Sequence, residues 1–174
     1  MLQEFHSNLT ESFKGDYLNL HRNFDFKTLM IDHGDSRLYF SDYCIKFSRN
    51  GKAQKRILII TDRSIMLILM SGQLVEIKRH IRFRNIKSVS MSRLQGDLIA
   101  VHTGKLDTLL RVVKRVEVMN ILMQGFEHVT RPRRTLTCNF GERIYLATGN
   151  VGNNLKYRSI HITLIALVAL VTLP

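Results

Sequence analysis

From residue 37 onward, short runs of β-branched and aromatic residues alternate with turn formers about every 8–12 residues, a cadence that points to a sheet of many short strands. The runs occupy 38–47, 55–61, 65–70, 73–79, 86–92, 97–102 and 108–113. Asn50-Gly51 is the strongest hairpin signal, because both residues tolerate the positive φ that a tight turn needs. Ser71-Gly72, Gln95-Gly96 and Thr103-Gly104 punctuate the other runs.

After the seventh run the apolar period lengthens. Val112, Val116, Met119, Met123 and Phe126 recur at helical spacing while Lys114, Arg115, Glu117, Gln124 and Glu127 fall elsewhere, which predicts an amphipathic helix ending near Arg131-Pro132. Two more short strands are expected at 135–140 and 143–147, then a Gly/Asn loop through Asn154. Ahead of the first run, Asn8 and Glu11 have the spacing of a helix N-cap pair, so a short helix and an irregular lead-in are expected there. Seven short strands capped by one helix is the element order of a pleckstrin-homology-like barrel, although order alone says nothing about function. The expected fold class is mainly β (α+β): a pleckstrin-homology-like seven-stranded barrel capped by a C-terminal helix, with a helical N-terminal lead-in and a short β C-terminal extension. The expected division is a lead-in over 1–36, barrel and capping helix over 37–130, and an extension of the same domain over 131–174.

Charge narrows the partners. The 174 residues hold 26 Lys+Arg against 14 Asp+Glu, a formal charge of +12. Residues 1–36 hold three basic and six acidic side chains, 37–134 twenty and seven, and 135–174 three and one, so the regional sums are −3, +13 and +2. The excess belongs to the folded middle and makes a basic surface that seeks a polyanion: nucleic acid, an acidic membrane leaflet or an acidic protein. Cys44 and Cys138 form neither a disulfide framework nor a zinc-ligand spacing, which fits a reduced, cytosolic setting. The N-terminus lacks the layout of a secretory signal, so Asn8-Leu9-Thr10 reads as an idle glycosylation sequon.

Residues 45–61, Ile-Lys-Phe-Ser-Arg-Asn-Gly-Lys-Ala-Gln-Lys-Arg-Ile-Leu-Ile-Ile-Thr, carry a lysine-bearing strand, a basic hairpin loop with a glycine, and an arginine leading into apolar residues. Around it in order stand Phe13-Lys14-Gly15-Asp16-Tyr17, the stretch 86–102, and Asp107-Thr108-Leu109-Leu110 leading to a helix with Glu117. Together these motifs resemble the class I myosin tail homology domain over roughly residues 11–150. The resemblance implies a pleckstrin-homology-like fold and a membrane-binding tail that takes anionic phospholipids, phosphoinositides above all, and holds an actin-based motor on the membrane. It also implies that Lys46 and Arg56 contact lipid phosphates. The loop between them is one residue shorter than is usual in that family and lacks its common proline.

The chemistry of the hairpin stands beside this. A polyphosphorylated head group needs several cationic donors converging on one pocket, and Lys46, Arg49, Lys52, Lys55 and Arg56 lie within eleven residues that fold back on themselves. A two-residue turn at Asn50-Gly51 sets Lys46 across from Lys55, whereas an odd loop centred on Gly51 sets it across from Arg56; both registers are open. Lys78, Arg79, Arg82, Arg84 and Lys87 form an auxiliary basic group that either extends this surface or is a solvated face, and Arg131, Arg133 and Arg134 add to the charge.

No catalytic motif, nucleotide fingerprint or metal-ligand spacing is present, so no catalytic residue, metal or cofactor is assigned. His80 and His102 read as ordinary surface or strand residues rather than ligands, Met66, Met70, Met91, Met119 and Met123 as core, and Cys44 as a buried thiol. The chain holds no motor, so it is either a tail segment of a longer myosin or a tail-like chain of its own. The apolar stretch 162–173 is too short to span a bilayer and reads first as a final strand or helix packed on the barrel, with a mis-predicted or truncated end and a hydrophobic tip that inserts into a membrane as the alternatives. Expected partners are anionic phospholipids, a cytoplasmic membrane surface and, through a longer chain, the myosin complex and actin cytoskeleton. The rival functions are a basic nucleic-acid-binding module, disfavoured because no RNA-binding motif accompanies the basic residues, and a protein-interaction domain without lipid binding.

Overall fold

A computed structural model describes residues 14–71, 74–92, 97–129, 135–141, 143–151 and 154–161. In chain order the elements are a 3-10 turn Leu20–Arg22, α1 Phe24–Asp32, β1 Leu38–Phe47, β2 Ala53–Thr61, β3 Ser64–Ser71, β4 Leu74–Arg82, a 3-10 turn Phe83–Asn85, β5 Ser88–Ser92, β6 Leu98–His102, β7 Thr108–Arg111, α2 Arg115–Val129, β8 Thr137–Gly141, β9 Arg143–Val151 and β10 Asn154–His161. Each of the seven expected runs is a strand. The fifth starts later than expected, at Ser88, because the Phe83–Asn85 turn drops Phe83 and Ile86 into the core first.

Strands β1 to β4 form one antiparallel meander and β5 to β7 another, and pairing of β1 with β7 joins them into a single sheet of order β4-β3-β2-β1-β7-β6-β5-β8. Strand β8 adds to the edge in parallel with β5, a connection that α2 makes possible. The β9–β10 hairpin is a separate two-stranded sheet. This is mainly β with the pleckstrin-homology element order, seven strands followed by a helix.

Alternation gives the curved sheet two apolar faces. The inner face carries Phe40, Cys44, Leu58, Ile60, Leu67, Ile81, Val89, Ile99, Val101 and Leu110, and α2 covers it with Val118, Met119, Leu122 and Phe126. Gly125 permits the close approach, since a Cβ there would lie 2.7 Å from the Phe83 ring. On the outside, α1 and its preceding turn lay Leu20, Phe26 and Met30 over Ile57, Ile59, Met66 and Ile68 of β2 and β3. Ile144 and Leu146 of β9 cover Phe47, Leu98, Ala100 and Leu109.

Several expectations are corrected. The helix of the lead-in is α1, whose first turn is capped by the Asn23 side chain accepting from Phe26 N, in the stretch read as irregular; Asn8 and Glu11 lie outside the described residues. The Gly/Asn loop through Asn154 is instead the body of the β9–β10 hairpin, where Asn150 pairs with Leu155 and Gly149 with Lys156. On α2 the buried stripe is Val118, Met119, Leu122 and Phe126, while Val116 and Met123 are 54% and 37% exposed. The apolar residues counted on the helix exceed one face, and packing against Phe83 selects which of them turn inward. Met70, expected in the core, is 40% exposed beside the β3–β4 turn. The run Arg131, Arg133 and Arg134 and the stretch 162–173 lie outside the described residues.

Candidate functional site

The register places α2 and the Phe83–Asn85 turn at one end of the sheet and the β1–β2, β3–β4 and β6–β7 turns at the other. The cations of interest gather at the turn end. In the β1–β2 hairpin Lys46 pairs with Gln54, Ile45 with Lys55 and Cys44 with Arg56, so neither open register is adopted. The connection spans Ser48 to Lys52: Ser48 N donates to Lys52 O and Gly51 N to Ser48 O, each at 2.9 Å, and Lys52 N donates to Ser48 Oγ at 3.0 Å. Gly51 alone takes a positive φ, 79°, so Asn50 is not the left-handed residue its side chain would tolerate.

This register decides which cations converge. Lys46 shares the inner face with Cys44, and Arg56 with Leu58, so both are drawn partly inward. Lys55 falls with Ile57 on the outer face, away from them, while Arg49 and Lys52 are exposed on the loop. The Arg56 guanidinium is held in place as Nη1 donates to Lys55 O at 2.6 Å and Nη2 to Gln54 Oε1 at 3.1 Å. Its Nε is buried without a partner among the described residues. Burial lowers the pKa of Lys46, and the positive charges of Arg56 and Arg79 lower it further.

The auxiliary group is split. Arg79 joins the cluster: Nη2 donates to Leu106 O of the β6–β7 turn at 2.6 Å, and its Nε too is buried and unpartnered among the described residues. Its pKa is lowered by burial, opposed by Asp107, and lowered again by Arg49. Arg82 does structural work instead, donating to His33 O and lying 3.5 Å from the buried Asp35 carboxylate, which ties α1 to β4. Lys78 pairs with Glu76 at 2.5 Å, Arg84 is exposed on the Phe83–Asn85 turn, and Lys87 is exposed with its ammonium beside Gly104 of the β6–β7 turn.

Groups to which the sequence reading gave no role in the site also shape it. Asp107 is the carboxylate whose charge bears on Arg79, and it accepts from Thr103 N at 2.9 Å, Ala147 N at 2.8 Å and His102 Nδ1 at 2.7 Å, which fastens the β6–β7 turn to β9. Ser90 Oγ lies 2.7 Å from His102 Nε2, completing a Ser–His–Asp chain. Since a carboxylate only accepts, Nδ1 carries the proton of its bond to Asp107. Strand β5 is paired on both sides, by β6 and β8, so Ser90 has no bank of free N–H donors for an oxyanion. The chain positions Asp107. Among the described residues no group of His, Cys, Asp or Glu is placed to hold a metal ion.

A cluster of cations drawn inward at the turn end of a pleckstrin-homology-like sheet coincides with a family match over most of the chain. The model of the unconventional myosin tail, described as actin- and lipid-binding, matches residues 6–162. The chain belongs to the unconventional myosin tail family. This myosin tail is 27% identical over 148 residues to myosin heavy chain IB of Acanthamoeba castellanii, covering 82% of this chain and 13% of that protein. It is 32% identical over 119 residues to the myosin IA heavy chain of Dictyostelium discoideum, covering 64% of this chain and 12% of that protein. It therefore spans about an eighth of the length of these relatives, and what it matches is tail, not motor. Among solved structures, the N-terminal PH domain of human ARAP2 aligns with 56% of this chain and 86% of its own at 21% identity and a TM-score of 0.43. No described helix of the myosin tail is long and apolar enough to cross a membrane.

Proposed function

We propose that this myosin tail binds the head groups of anionic phospholipids, phosphoinositides above all, with Lys46 and Arg56 as the inner ligands and Arg49 and Lys52 closing over them from the loop. It thereby holds a longer, actin-based motor chain at the cytoplasmic face of a membrane as a peripheral protein of the cytoskeleton. The chain acts as a binding module, with ATP-driven movement left to a motor elsewhere in that longer chain. The observation that carries this reading is that Lys46 and Arg56 stand on the same inner face of adjacent strands, with the Arg56 Nε lacking an acceptor among the described residues. Cations forced together on one strand face cost stability until an anion neutralises them. Family membership supports the lipid partner in general terms, because the family is described as lipid-binding. The exposed Lys55, Arg84 and Lys87 add long-range attraction of about 1 kcal/mol for each that nears an acidic leaflet.

Vesicle co-sedimentation tests it. The chain is expected to pellet with acidic vesicles at low salt and to be released as salt rises, since exposed charges are screened within about 10 Å at 0.1 M. Lys46→Ala with Arg56→Ala should weaken binding at least about tenfold, the loss of one strong charge-assisted contact. A wild-type chain left in the supernatant, or a double variant that binds as well as wild type, would overturn the proposal.

A further inference from the structure

We infer that Arg79 is a specificity-determining residue: turned inward by a bulge in β4, it adds a second phosphate position to the cluster, so that head groups with two phosphomonoesters bind in preference to those with one. This inference rests on the head-group reading of the site given above.

The bulge is the first observation. Ile77 pairs with Ile68 and packs on the outer face, so unbroken alternation would put Arg79 outside as well. The register shifts between Leu67 and Ile68, Lys78 is absorbed, and Arg79 pairs with Leu67 of the inner core. Bulges of this kind re-aim a side chain next to functional sites. The second observation is how the arginine is held: Nη2 is anchored on Leu106 O, while Nε is buried and unpartnered among the described residues. A guanidinium turned toward other cations contributes nothing to packing that an apolar side chain would not, so its natural complement is an anion.

The third observation is the layout of charge. Arg56 stands on β2, one neighbour of β1, while the Arg79 guanidinium is anchored on Leu106 O of the turn that enters β7, the other neighbour, so cations flank Lys46 from two sides. Lys46, Arg49, Lys52, Arg56 and Arg79 carry five formal positive charges against the carboxylate of Asp107, a difference of about four. A phosphomonoester brings about −1.5 to −2. With the further −1 of its phosphodiester, a head group with one phosphomonoester brings about −2.5 to −3 and falls short of that difference, one with two brings about −4 to −5 and meets it, and the net single charge of a phosphatidylserine head group leaves most of it unmet.

The test uses phosphatidylcholine vesicles matched in total charge and carrying phosphatidylinositol bisphosphate, phosphatidylinositol monophosphate or phosphatidylserine. Wild type should favour the bisphosphate vesicles by about tenfold over the monophosphate vesicles. Soluble inositol trisphosphate should compete with them where inorganic phosphate at the same concentration does not. Arg79→Gln should bring the bisphosphate vesicles down to the monophosphate level, and Lys78→Gln, which removes an exposed charge already paired with Glu76 on the same strand, should leave the preference intact. Arg79→Met, which replaces the cation with an apolar chain of similar reach, should melt no lower than wild type and lose the preference, so a poorly folded Arg79→Gln does not shelter the idea. Equal wild-type binding to all three vesicles, an Arg79→Met chain that keeps the preference, or inorganic phosphate competing as well as inositol trisphosphate would overturn it. A wild-type chain that binds none of the vesicles would instead overturn the head-group reading beneath it.

Discussion

Glu117 sits 3% exposed on the first turn of α2, and it is tolerated there because both carboxyl oxygens accept hydrogen bonds from the lead-in: Oε1 from Gly15 N at 3.0 Å and Oε2 from the Tyr17 hydroxyl at 2.7 Å. Lys114 packs its ammonium 3.9 Å above the Tyr17 ring and pairs with Asp42 at 2.5 Å, so four segments meet at one tyrosine. Donation to Glu117 is the main reason the Tyr17 pKa is pushed up to about 12, with burial and the Glu117 and Asp42 charges adding to it. The folded value lies above the ordinary 10.0, so this contribution to stability is complete below pH 10.0 and is lost as pH rises toward 12. Glu117→Ala should orphan two donors and cost about 2–4 kcal/mol in urea unfolding. In Glu117→Gln the phenolate absorbance of Tyr17 should appear nearer pH 10.0 than in wild type. Unchanged alkaline titration in that variant would contradict the assignment. The sequence pattern placed Glu117 off the apolar stripe because a polar residue in a helical period reads as solvent-facing; its partners lie 100 or more residues away and leave no local mark.

At the scale of elements, the β1–β2 loop and α1 carry separable predictions. Gly51 has a φ of 79° with no atom within 4 Å of where a Cβ would sit, so Gly51→Ala pays for the left-handed backbone alone, about 1 kcal/mol. Its melting temperature should fall by a few degrees with vesicle binding reduced in step, because the loop that carries Arg49 and Lys52 loses its preferred closure. Asn23→Ala removes the cap that accepts from Phe26 N at 2.9 Å and should cost about 1 kcal/mol while leaving vesicle binding unchanged, since α1 covers the outer face away from the cluster. A cap variant that lost binding as strongly as the loop variant would mean that α1 and the site are coupled. Strand positions were legible here, and registers were not. Alternation within a strand is a property of neighbouring residues, whereas the five-residue β1–β2 connection and the β4 bulge are settled by which partner strand buries more apolar surface. That difference moved Lys55 out of the site and Arg79 into it.

Across the whole molecule, carboxylates hold the layers together while cations collect where the turns meet. Burial pushes the Asp107 carboxyl up, but hydrogen bonds from His102, Ala147 N and Thr103 N outweigh it and hold the pKa below the ordinary 3.8. Asp16 and Asp62 are likewise raised by burial and lowered further by their donors, Ser41, His21 and Leu20 for the first and Ser36 and Arg37 for the second. Folded values below unfolded ones mean stability that is present above about pH 4 and lost as pH falls through the folded values. Thermal melts should therefore drop steeply below about pH 4, and Asp107→Asn should flatten part of that drop; an acid limb identical to wild type would show that Asp107 carries none of it. The strand cadence, the closing helix, the basic middle and the hairpin motif of Lys46 and Arg56 were readable from the chain itself, because period, charge and turn chemistry are written in residues that adjoin one another. Tertiary structure alone decided the face of α2, the burial of Glu117, the covering of the outer faces by α1 and β9, and the arrival of Arg79 beside Lys46. Each of these depends on surface buried between segments far apart in sequence, a quantity that no local pattern contains.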